Sequence, residues 1–378
     1  MYLMLTEEQE LIRANAREFA DKYLEPIAAQ IDEESRHPAE VFEKLAEMDW
    51  MGIPFPTEYG GAGADFLTMA IICEQISRSC ASTAFTLSCH TAMGAGPIYR
   101  FGNEEQRKKY LPPLCTGKLG AFALTEPGAG TDAGAGTSTA VLEGEEYVLN
   151  GTKTFISAGP LAETFMIVGM TDKSKGARGM SAFIVPKDAP GFKVGAVFKK
   201  MGLRSSQTSE IIMKDCRIPK ANLLGKEGEG FKIAMGSLDH GRIGVAAQAT
   251  GIILASLEES IKYSKERVQF GKPISANQAI QWMIADMAVA LECARFLTFS
   301  AAFRSDQGLS FTKEASMAKL FTSEAAMHHA SKAVQIHGGY GYMKGFKVER
   351  LLRDAKITEI YEGTSEAQRM VIAGGLVR

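Results

Sequence analysis

Apolar residues recur at helical spacing near the start of the chain. Leu11, Phe19 and Tyr23 lie on one face of a helix with 3.6 residues per turn. Thr6 and Gln9 precede this stripe at the separation of a capping box, in which each residue bonds the other's backbone N–H. The pattern predicts that the first third of the chain is mostly helical.

The last third of the chain carries a longer apolar stripe. Polar residues such as Asp286 and Arg295 fall off that stripe, as they do on an amphipathic helix packed against a core. We therefore expect long, bundled helices after residue 226. The residues of the stripe are Ile280, Ile284, Met287, Leu291 and Ala294.

Between these regions, from about Gly120, the helical spacing disappears and glycine, threonine and valine become frequent. The segment "YVLNGTKTFI" contains Asn150 and Gly151, a pair favoured in the tight turn of a β-hairpin. "TFMIVGMT" and "MSAFIVP" read as further strands. The middle third is therefore predicted to be an antiparallel β domain.

Together these patterns predict an α+β fold with three domains. They are an N-terminal helical domain over 1–118, an antiparallel β domain over 119–226 and a C-terminal four-helix-bundle-like domain over 227–378. A chain of 378 residues is long enough for two or three domains, each with its own core.

Composition excludes several function classes. With 46% hydrophobic and 23% charged residues and a formal net charge of -2, the chain lacks the basic field that nucleic acid requires. No apolar run is long enough to cross a bilayer, and no signal peptide is recognised, so we expect a cytoplasmic or matrix protein. Six scattered cysteines without CxxC spacing, and no HExxH, predict neither disulfides nor a metal site.

A glycine-rich segment, "FALTEPGAGTDAGAG" at 122–136, suggests at first a dinucleotide-binding turn. The glycines are spaced GxGxxxG, and a predicted strand follows where that fold needs a helix. What remains is a loop whose backbone N–H groups, with the hydroxyls of Thr125 and Thr131, can hold a flavin ring or its pyrophosphate. Considered alone, the loop is better explained as a plain glycine-rich turn.

The segment "ITEIYEGTSEAQR" at 357–369 places Glu362 after an apolar stretch and before a predicted helix. The carboxylate is either a catalytic base or a solvated residue ahead of a helix that Ser365 and Gln368 cap as a box. An apolar pocket would raise the pKa of Glu362, whereas a following helix N-terminus would favour its anion. Sequence leaves both possibilities open.

Four segments in one order resemble the acyl-CoA dehydrogenase family across essentially the whole chain. The residue pattern of "LDHGRIGVAAQATGI" at 238–252 is similar to that of the short-chain, or butyryl-CoA, branch. The resemblance implies the acyl-CoA dehydrogenase fold and FAD as cofactor. The four segments are "LTEPGAGTD" at 124–132, "RVQFGKPI" at 267–274, "QIHGGYGY" at 335–342 and "RDAKITEIYEGTSEAQR" at 353–369.

The same resemblance implies a reaction in which Glu362 removes the α-proton of an acyl-CoA thioester while the β-hydrogen leaves as hydride to FAD. It implies that the Glu362 N–H and an FAD ribityl hydroxyl bind the thioester oxygen. Some branches place the base at the position of Gly241, which has no side chain for that role. Glu362 is then the family-type candidate.

The resemblance also implies binding residues. One group of these residues would reach FAD from a neighbouring subunit, which implies a homotetramer. The group consists of Arg267, Phe270, Gln335, Gly338 and Gly339. By pattern alone, Arg267 is a surface residue, the Gly338–Gly339 pair a helix cap, and Asp239–Arg242 an ion pair within one helix. The implied FAD contacts are Thr125, Gly130, Thr131, Phe155, Ser157, Arg267, Phe270, Gln278, Gln335, Gly338, Gly339, Thr364 and Glu366, and the implied substrate contacts are Thr131, Asp239, Arg242 and Gly363.

Two positions depart from the family pattern. Phe155 stands where many relatives have tryptophan, and Gly345 where they often have an acidic residue. The first keeps an aromatic face and loses an indole, and the second has no functional interpretation.

The functional hypothesis is an FAD-dependent acyl-CoA dehydrogenase that passes electrons to electron-transfer flavoprotein. Three alternatives stay open: an enoyl-CoA reductase working in reverse, an acyl-CoA oxidase, and a catalytically silent flavoprotein subunit that binds acyl-CoA. Acyl chain length is not readable, because the segment 81–100 that would form the pocket floor cannot be oriented from sequence.

Overall fold

The computed structural model describes residues 5–377. Residues 1–4 and residue 378, which the predicted terminal domains include, lie outside the described part. The fold class is confirmed: helical N-terminal and C-terminal regions flank a central sheet. The domain boundaries at 118 and 226 stay predictions.

The N-terminal region consists of seven α-helices, two of which continue into short π-helical segments at Ala20–Leu24 and His90–Ala95. The predicted capping box is present, since Thr6 Oγ1 accepts from the Gln9 N–H at 3.2 Å and Gln9 Oε1 accepts from the Thr6 N–H at 3.0 Å. The helices are α1 (Glu7–Phe19), α2 (Ala28–Glu33), α3 (Ala39–Glu47), α4 (Phe66–Ser79), α5 (Ala81–Cys89), α6 (Gly96–Phe101) and α7 (Glu104–Cys115).

The central sheet is mostly antiparallel, and its strands run in the order β6-β7-β3-β2-β4-β5-β8. Two pairings are parallel, β1 with β4 and a short contact of β2 with β4, so the sheet is mixed at this point. The strands are β1 (Gly120–Ala123), β2 (Thr139–Glu143), β3 (Glu146–Ser157), β4 (Thr164–Met170), β5 (Met180–Pro186), β6 (Phe192–Val197), β7 (Thr208–Pro219) and β8 (Leu223–Leu224).

The predicted hairpin turn at Asn150–Gly151 is wrong. β3 continues through both residues, and the turn between β2 and β3 lies at residues 144–145, where Gly144 has φ 63°. Gly151 instead sits at a register shift with φ 146°, and a Cβ there would lie 2.3 Å from Ser138 Oγ. The glycine therefore serves a bulge inside the strand rather than a turn.

β4 joins the two main parts of the core. It is buried along its whole length, and alternate side chains enter different clusters, as the two-residue period of a strand requires. Phe165 and Ile167 pack into the large cluster shared with the helices, while Met166 and Val168 pack into a second cluster with residues of α6 and α7. The sheet is thereby fixed between helical layers.

The C-terminal region contains a small hairpin and five helices. α10 packs against α8, α9, α11 and α12, and α4 of the N-terminal region packs on α8, so the two helical regions share one core. The elements are α8 (Gly230–Glu266), β9 (Val268–Gln269), β10 (Lys272–Pro273), α9 (Gln278–Asp306), α10 (Thr312–His337), α11 (Lys347–Thr358) and α12 (Ser365–Val377).

Helix α9 carries two apolar stripes, of which the sequence pattern predicted one. Met287, Leu291 and Ala294 of the predicted stripe are buried. A second stripe lies on another face at seven-residue spacing and is exposed; it consists of Trp282, Val289 and Phe296. No helix within residues 5–377 has the length and apolar character needed to span a bilayer.

Candidate active site

Glu362 lies in the turn between α11 and α12. Glu362 has φ 53° and Gly363 has φ 94°, so both occupy the left-handed region that a non-glycine residue rarely adopts. Three side chains hold the two carbonyl groups of this turn. Gln368 Nε2 donates to both, Lys319 Nζ donates to Gly363 O at 2.7 Å, and Arg242 Nε lies 3.4 Å from Glu362 O.

The Glu362 carboxyl group is directed into the protein. Its Oε2 is buried and has no hydrogen-bond partner within residues 5–377. Gly241 on α8 makes room for it, because a Cβ there would lie 2.2 Å from Oε2 and 3.0 Å from Met93 Sδ. Burial raises the pKa of Glu362 to about 8, although the nearby cations Arg242 and Lys319 act in the opposite direction.

The sequence left open whether the pKa of Glu362 is raised or lowered in the fold. Burial, which raises this pKa, outweighs the cations Arg242 and Lys319, which favour the anion. The predicted capping box of Ser365 with Gln368 is absent, because the Gln368 amide binds the carbonyls of Glu362 and Gly363 instead. Thr364 caps α12, with its Oγ1 accepting from the Ala367 N–H at 3.3 Å.

Aromatic packing closes one side of the turn. The ring of Tyr361 stacks on Phe85 of α5 with centroids 4.6 Å apart, and its hydroxyl donates to Gln248 Oε1. Phe85 and Gln248 are buried, as is Cys89, whose thiol pKa is raised by burial and by the Glu362 charge. The side of the Glu362 turn that faces α5 is therefore buried, and Phe85 and Tyr361 make it largely aromatic.

Asp239 and Arg242 form the ion pair within α8 that the sequence left as an alternative. Arg242 Nη1 lies 2.6 Å from Asp239 Oδ1, and Thr312 donates to Asp239 Oδ2 at 2.6 Å. Both charged side chains are buried. Since Arg242 also approaches Glu362 O, the pair ties α8 and α10 to the Glu362 turn.

The glycine-rich loop is anchored by a buried carboxylate. Glu126 lies 2.7 Å from Lys153 Nζ and accepts from the N–H groups of Thr137 and Ser138 at the far end of the loop. Burial opposes ionisation, but Lys153 and these donors outweigh it and lower the pKa of Glu126 to about 2. The loop is thus pinned to β3, where the Thr154 N–H also donates to Thr125 O at 2.9 Å.

The pinned loop presents an open face. Gly130 and Thr131 are exposed, and a Cβ at Gly130 would meet no atom within 4 Å. Phe155 is 66% exposed at φ 58°, and its ring lies 5.3 Å from that of Phe198, while Ser157 is half-buried beside it. The loop therefore exposes backbone and a hydroxyl group at Gly130 and Thr131, and β3 exposes an aromatic ring at Phe155.

A third group lies on the C-terminal region. Arg267, Gly338 and Gly339 line a cleft of about 520 Å³, in which the Arg267 guanidinium lies 5.5 Å from the ring of Tyr340. Gly338 is also the C-cap of α10, with φ 59°. Phe270 is fully exposed at φ 52° on the tip of the β9–β10 hairpin. Three further predicted residues are exposed: Gln278, Gln335 and Glu366.

The predicted residues thus form three groups within one chain: the Glu362 turn with the Asp239–Arg242 pair, the loop with Phe155, and the exposed C-terminal set. Sequence reasoning missed the side chains that support the Glu362 turn. Gln248 and Gln368 fall within segments quoted above, but the five side chains come from α5, the following π-helical segment, α8, α10 and α12, so no single motif indicates that they meet. They are Phe85, Met93, Gln248, Lys319 and Gln368.

Three family models match nearly the whole chain. The acyl-CoA dehydrogenase N-terminal domain matches residues 6–118, the middle domain 121–216 and the C-terminal domain 228–377. A buried carboxyl group with no partner among the described residues fits an enzyme that removes a proton with a general base. The chain belongs to the acyl-CoA dehydrogenase family, and it is an oxidoreductase.

Individual relatives are similar over their full length. "Acyl-CoA dehydrogenase, short-chain specific" of Clostridium acetobutylicum is 52% identical, covering 99% of each chain. "Acryloyl-CoA reductase (NADH)" of Anaerotignum propionicum is 53% identical, covering 99% of this chain and 95% of that one.

Solved structures agree with this fold. Butyryl-CoA dehydrogenase from Megasphaera elsdenii superposes with a TM-score of 0.98 at 45% identity, covering all of both chains. A structure from work on the electron transferring flavoprotein of Acidaminococcus fermentans gives 0.99 at 50% identity, again over both whole chains. The FAD complex of PigA gives 0.95 at 32% identity, covering 100% of this chain and 99% of that one.

Proposed function

We propose that the protein is an FAD-dependent dehydrogenase of short acyl-CoA thioesters in which Glu362 is the catalytic base. One observation carries the proposal: Glu362 Oε2 is buried without a partner in the space that Gly241 leaves free. A carboxyl group held in this way is desolvated, which makes its anion a stronger base. Its pKa, raised to about 8, lies close to the range in which a general base works best.

The chain's own residues then perform three tasks. Glu362 takes the α-proton, and the apolar floor of Phe85 and Tyr361 excludes water that would otherwise solvate the carboxylate. The Glu362 N–H has no hydrogen-bond partner among the described residues, and it is free to bind the thioester oxygen as negative charge develops there. Arg242 and Gln368 hold the turn so that both groups stay in place.

The residues of the open face fit FAD. A planar ring needs a flat apolar contact and donors for its carbonyl groups; Phe155 offers an exposed ring, and Thr125 and Thr131 offer hydroxyl groups. The open space at Gly130 allows close approach of a ligand to the backbone. When bound, FAD supplies a two-electron acceptor for the β-hydrogen. Thr364 and Glu366, beside the Glu362 turn, would bind its adenosine side.

Several features support a short acyl chain and an oligomer. Phe85, Tyr361 and Gln248 occupy the side of the Glu362 turn that faces α5, and we expect them to limit the length of the acyl chain. The relatives include short-chain specific and butyryl-CoA enzymes. The fully exposed Phe270 and the exposed stripe of α9 favour burial against further copies of the chain, in a homotetramer in which Arg267 reaches a neighbour's FAD.

Electron-transfer flavoprotein is the proposed acceptor, in line with the similar structure from the work on that partner. The reverse reaction, enoyl-CoA reduction, is the second candidate, because a relative of 53% identity is an acryloyl-CoA reductase. Both directions use the same base, since Glu362 returns the proton to the α-carbon during reduction.

Anaerobic flavin bleaching tests the proposal. The purified holoenzyme is mixed with butyryl-CoA, octanoyl-CoA and branched and aryl-propionyl thioesters, and flavin absorbance is followed. Butyryl-CoA should bleach fastest, and Glu362→Gln should keep its flavin while turnover falls by roughly three orders of magnitude or more, because the amide cannot take a proton.

Two results would contradict parts of the proposal. Near-normal turnover in Glu362→Gln removes Glu362 as the base. Faster bleaching by octanoyl-CoA than by butyryl-CoA overturns the short-chain assignment and leaves the base intact. If reduced enzyme oxidises with crotonyl-CoA but butyryl-CoA does not bleach it, the working direction is reduction.

A further inference from the structure

Lys319 on α10 is a buried lysine without an ion pair. Its side chain is fully buried, and its Nζ makes one hydrogen bond within residues 5–377, to Gly363 O at 2.7 Å. Lys153, which is also buried, and Lys347, which is partly buried, differ, since their Nζ atoms lie 2.7 Å and 2.8 Å from a carboxylate oxygen. Burying an ammonium group without a carboxylate bound to it is costly in free energy. The position of Lys319 beside Glu362 therefore suggests a specific role.

Among the described charged groups around Lys319, one buried carboxyl group is not paired with another cation. Glu359, at the end of α11, is paired with Lys356 at 2.6 Å, and Glu366 on α12 is exposed. Arg242 of α8 is already bound to Asp239. Glu362 is the remaining carboxyl group that interacts with Lys319, and its Oε2 has no partner. Tyr361 and Cys89, which also face Glu362, stay uncharged because burial raises their pKa values.

We propose that Lys319 is a positioning residue for the catalytic base: it holds the Gly363 carbonyl and thereby the left-handed turn at Glu362, and its buried charge stabilises the Glu362 carboxylate. The proposal rests on Glu362 being the base. Two links run through the same ammonium group, one mechanical through the backbone and one electrostatic through the side chain. The electrostatic link distinguishes Lys319 from an ordinary packing residue.

The sign of the effect follows from charge. A neighbouring cation lowers the pKa of a carboxyl group, so removing the cation raises it. The free enzyme needs Glu362 ionised, and kcat/KM therefore rises with pH through the pKa of Glu362. Burial lowers the pKa of Lys319 itself to about 8, so the native ammonium begins to lose its charge where the base ionises. A guanidinium at the same position keeps its charge throughout.

The experiment compares pH profiles of kcat/KM for holoenzyme variants. Lys319→Met should move the rising limb up by about one pH unit, which lowers kcat/KM about tenfold below the limb. Lys319→Arg should move the limb down or make it steeper. The matched control is Lys347→Met: this partly buried lysine of α11 pairs with Glu25 and is not among the cations that act on Glu362, so its loss should lower stability without moving the limb.

The outcomes separate the possible failures. If the limb of both Lys319 variants coincides with that of the wild type, the electrostatic role is overturned and Lys319 is structural. If Lys319→Met does not fold, Lys319→Arg alone decides, because an unmoved limb in that variant has the same meaning. Glu362→Gln is measured in parallel: if it stays active, the proposed function fails, whereas an inactive Glu362→Gln with unmoved Lys319 profiles refutes only the present inference.

Discussion

The Glu362 turn and the flavin-facing surface are built in opposite ways. Side chains from five parts of one chain hold the turn, and the carboxyl group that they orient is buried. The proposed cofactor contacts, by contrast, are mostly exposed: Phe155 is 66% exposed and Phe270 fully so. The proposed base is therefore held by side chains of a single chain, whereas the proposed cofactor contacts are mostly open in that chain.

This difference separates two kinds of function. A base needs a fixed position and a low local dielectric, and both come from packing that the chain supplies itself. A surface that binds a large cofactor between subunits must stay open until cofactor and neighbour arrive. Substitutions around Glu362 should therefore change rate at constant flavin content, while substitutions on the exposed groups should change flavin content first.

Apart from Glu362→Gln, the largest effect on catalytic rate is expected from Gly241→Ala. The new Cβ would lie 2.2 Å from Glu362 Oε2, so the carboxyl group must turn away from its position. We expect kcat/KM to fall about a hundredfold, equivalent to about 2.7 kcal/mol of transition-state stabilisation. Steady-state kinetics with butyryl-CoA, together with the flavin-to-protein absorbance ratio, measures both quantities.

The matched control is Gly236→Ala on the same helix. A Cβ at Gly236 would meet Phe101 at 3.8 Å, an ordinary contact, and alanine is favoured over glycine in a helix. This variant should keep its activity and gain up to about 1 kcal/mol in stability. Wild-type kinetics in Gly241→Ala would show that the carboxyl position seen here is not the working one.

The second prediction concerns stability rather than rate, and it tests the anchor of the glycine-rich loop. Lys153→Met leaves the Glu126 carboxylate buried without its cation, which should cost about 3 to 5 kcal/mol in the free energy of unfolding. Denaturant titration measures this loss. Lys175→Met, which breaks the exposed pair of Lys175 with Asp172, should change stability by less than about 1 kcal/mol; equal losses in both variants would refute the anchor.

The bond between Glu126 and Lys153 also predicts how the stability of the fold depends on pH in acid. The folded pKa of Glu126 is lowered to about 2 from an ordinary value of 4.5, so its ionised form stabilises the fold above about pH 4.5. That contribution is lost as pH falls through the folded pKa. Thermal unfolding between pH 5 and pH 3 should therefore show a smaller acid-dependent decrease in Lys153→Met than in the wild type.

Hydrophobic periodicity predicted most of the fold, because it reports which face of each element is buried. The stripe of α9 and strands β4 and β5 appear where their patterns place them. Asn150–Gly151 was misassigned because the same dipeptide suits a bulge, and the choice depends on β7: Asn150 bonds Asp215 on that strand. Pairing between distant segments is not encoded in a dipeptide.

The residues of the candidate site also fall into two classes: those in contiguous motifs, which were predicted, and those brought in by distant contacts, which were not. Glu362 and the loop residues were predicted because each lies in a contiguous motif. Lys319 was not, because its contact with Gly363 spans 44 residues and its local sequence reads as an ordinary helix. The raised pKa of Glu362 likewise depends on burial by several elements at once, which no local pattern expresses.

The smallest of these effects is expected from Arg267→Ala. The Arg267 guanidinium lies 5.5 Å from the ring of Tyr340 and makes no hydrogen bond or ion pair within residues 5–377, so its loss should leave the fold and the Glu362 turn unchanged. If it reaches the FAD of a neighbouring subunit, the dissociation constant for FAD should rise about tenfold, equivalent to about 1.4 kcal/mol. Reconstitution of flavin-free enzyme with FAD, followed by fluorescence, measures this constant.

Two controls make the last test specific to the subunit contact. Lys265→Ala removes an exposed positive charge two residues away and should leave FAD affinity unchanged, because a surface charge alone contributes little at physiological salt. Arg267→Lys keeps the charge without the planar fork and should lie between alanine and wild type. Normal flavin affinity in Arg267→Ala, with an unchanged sedimentation coefficient, would mean that the exposed C-terminal group does not complete the cofactor site.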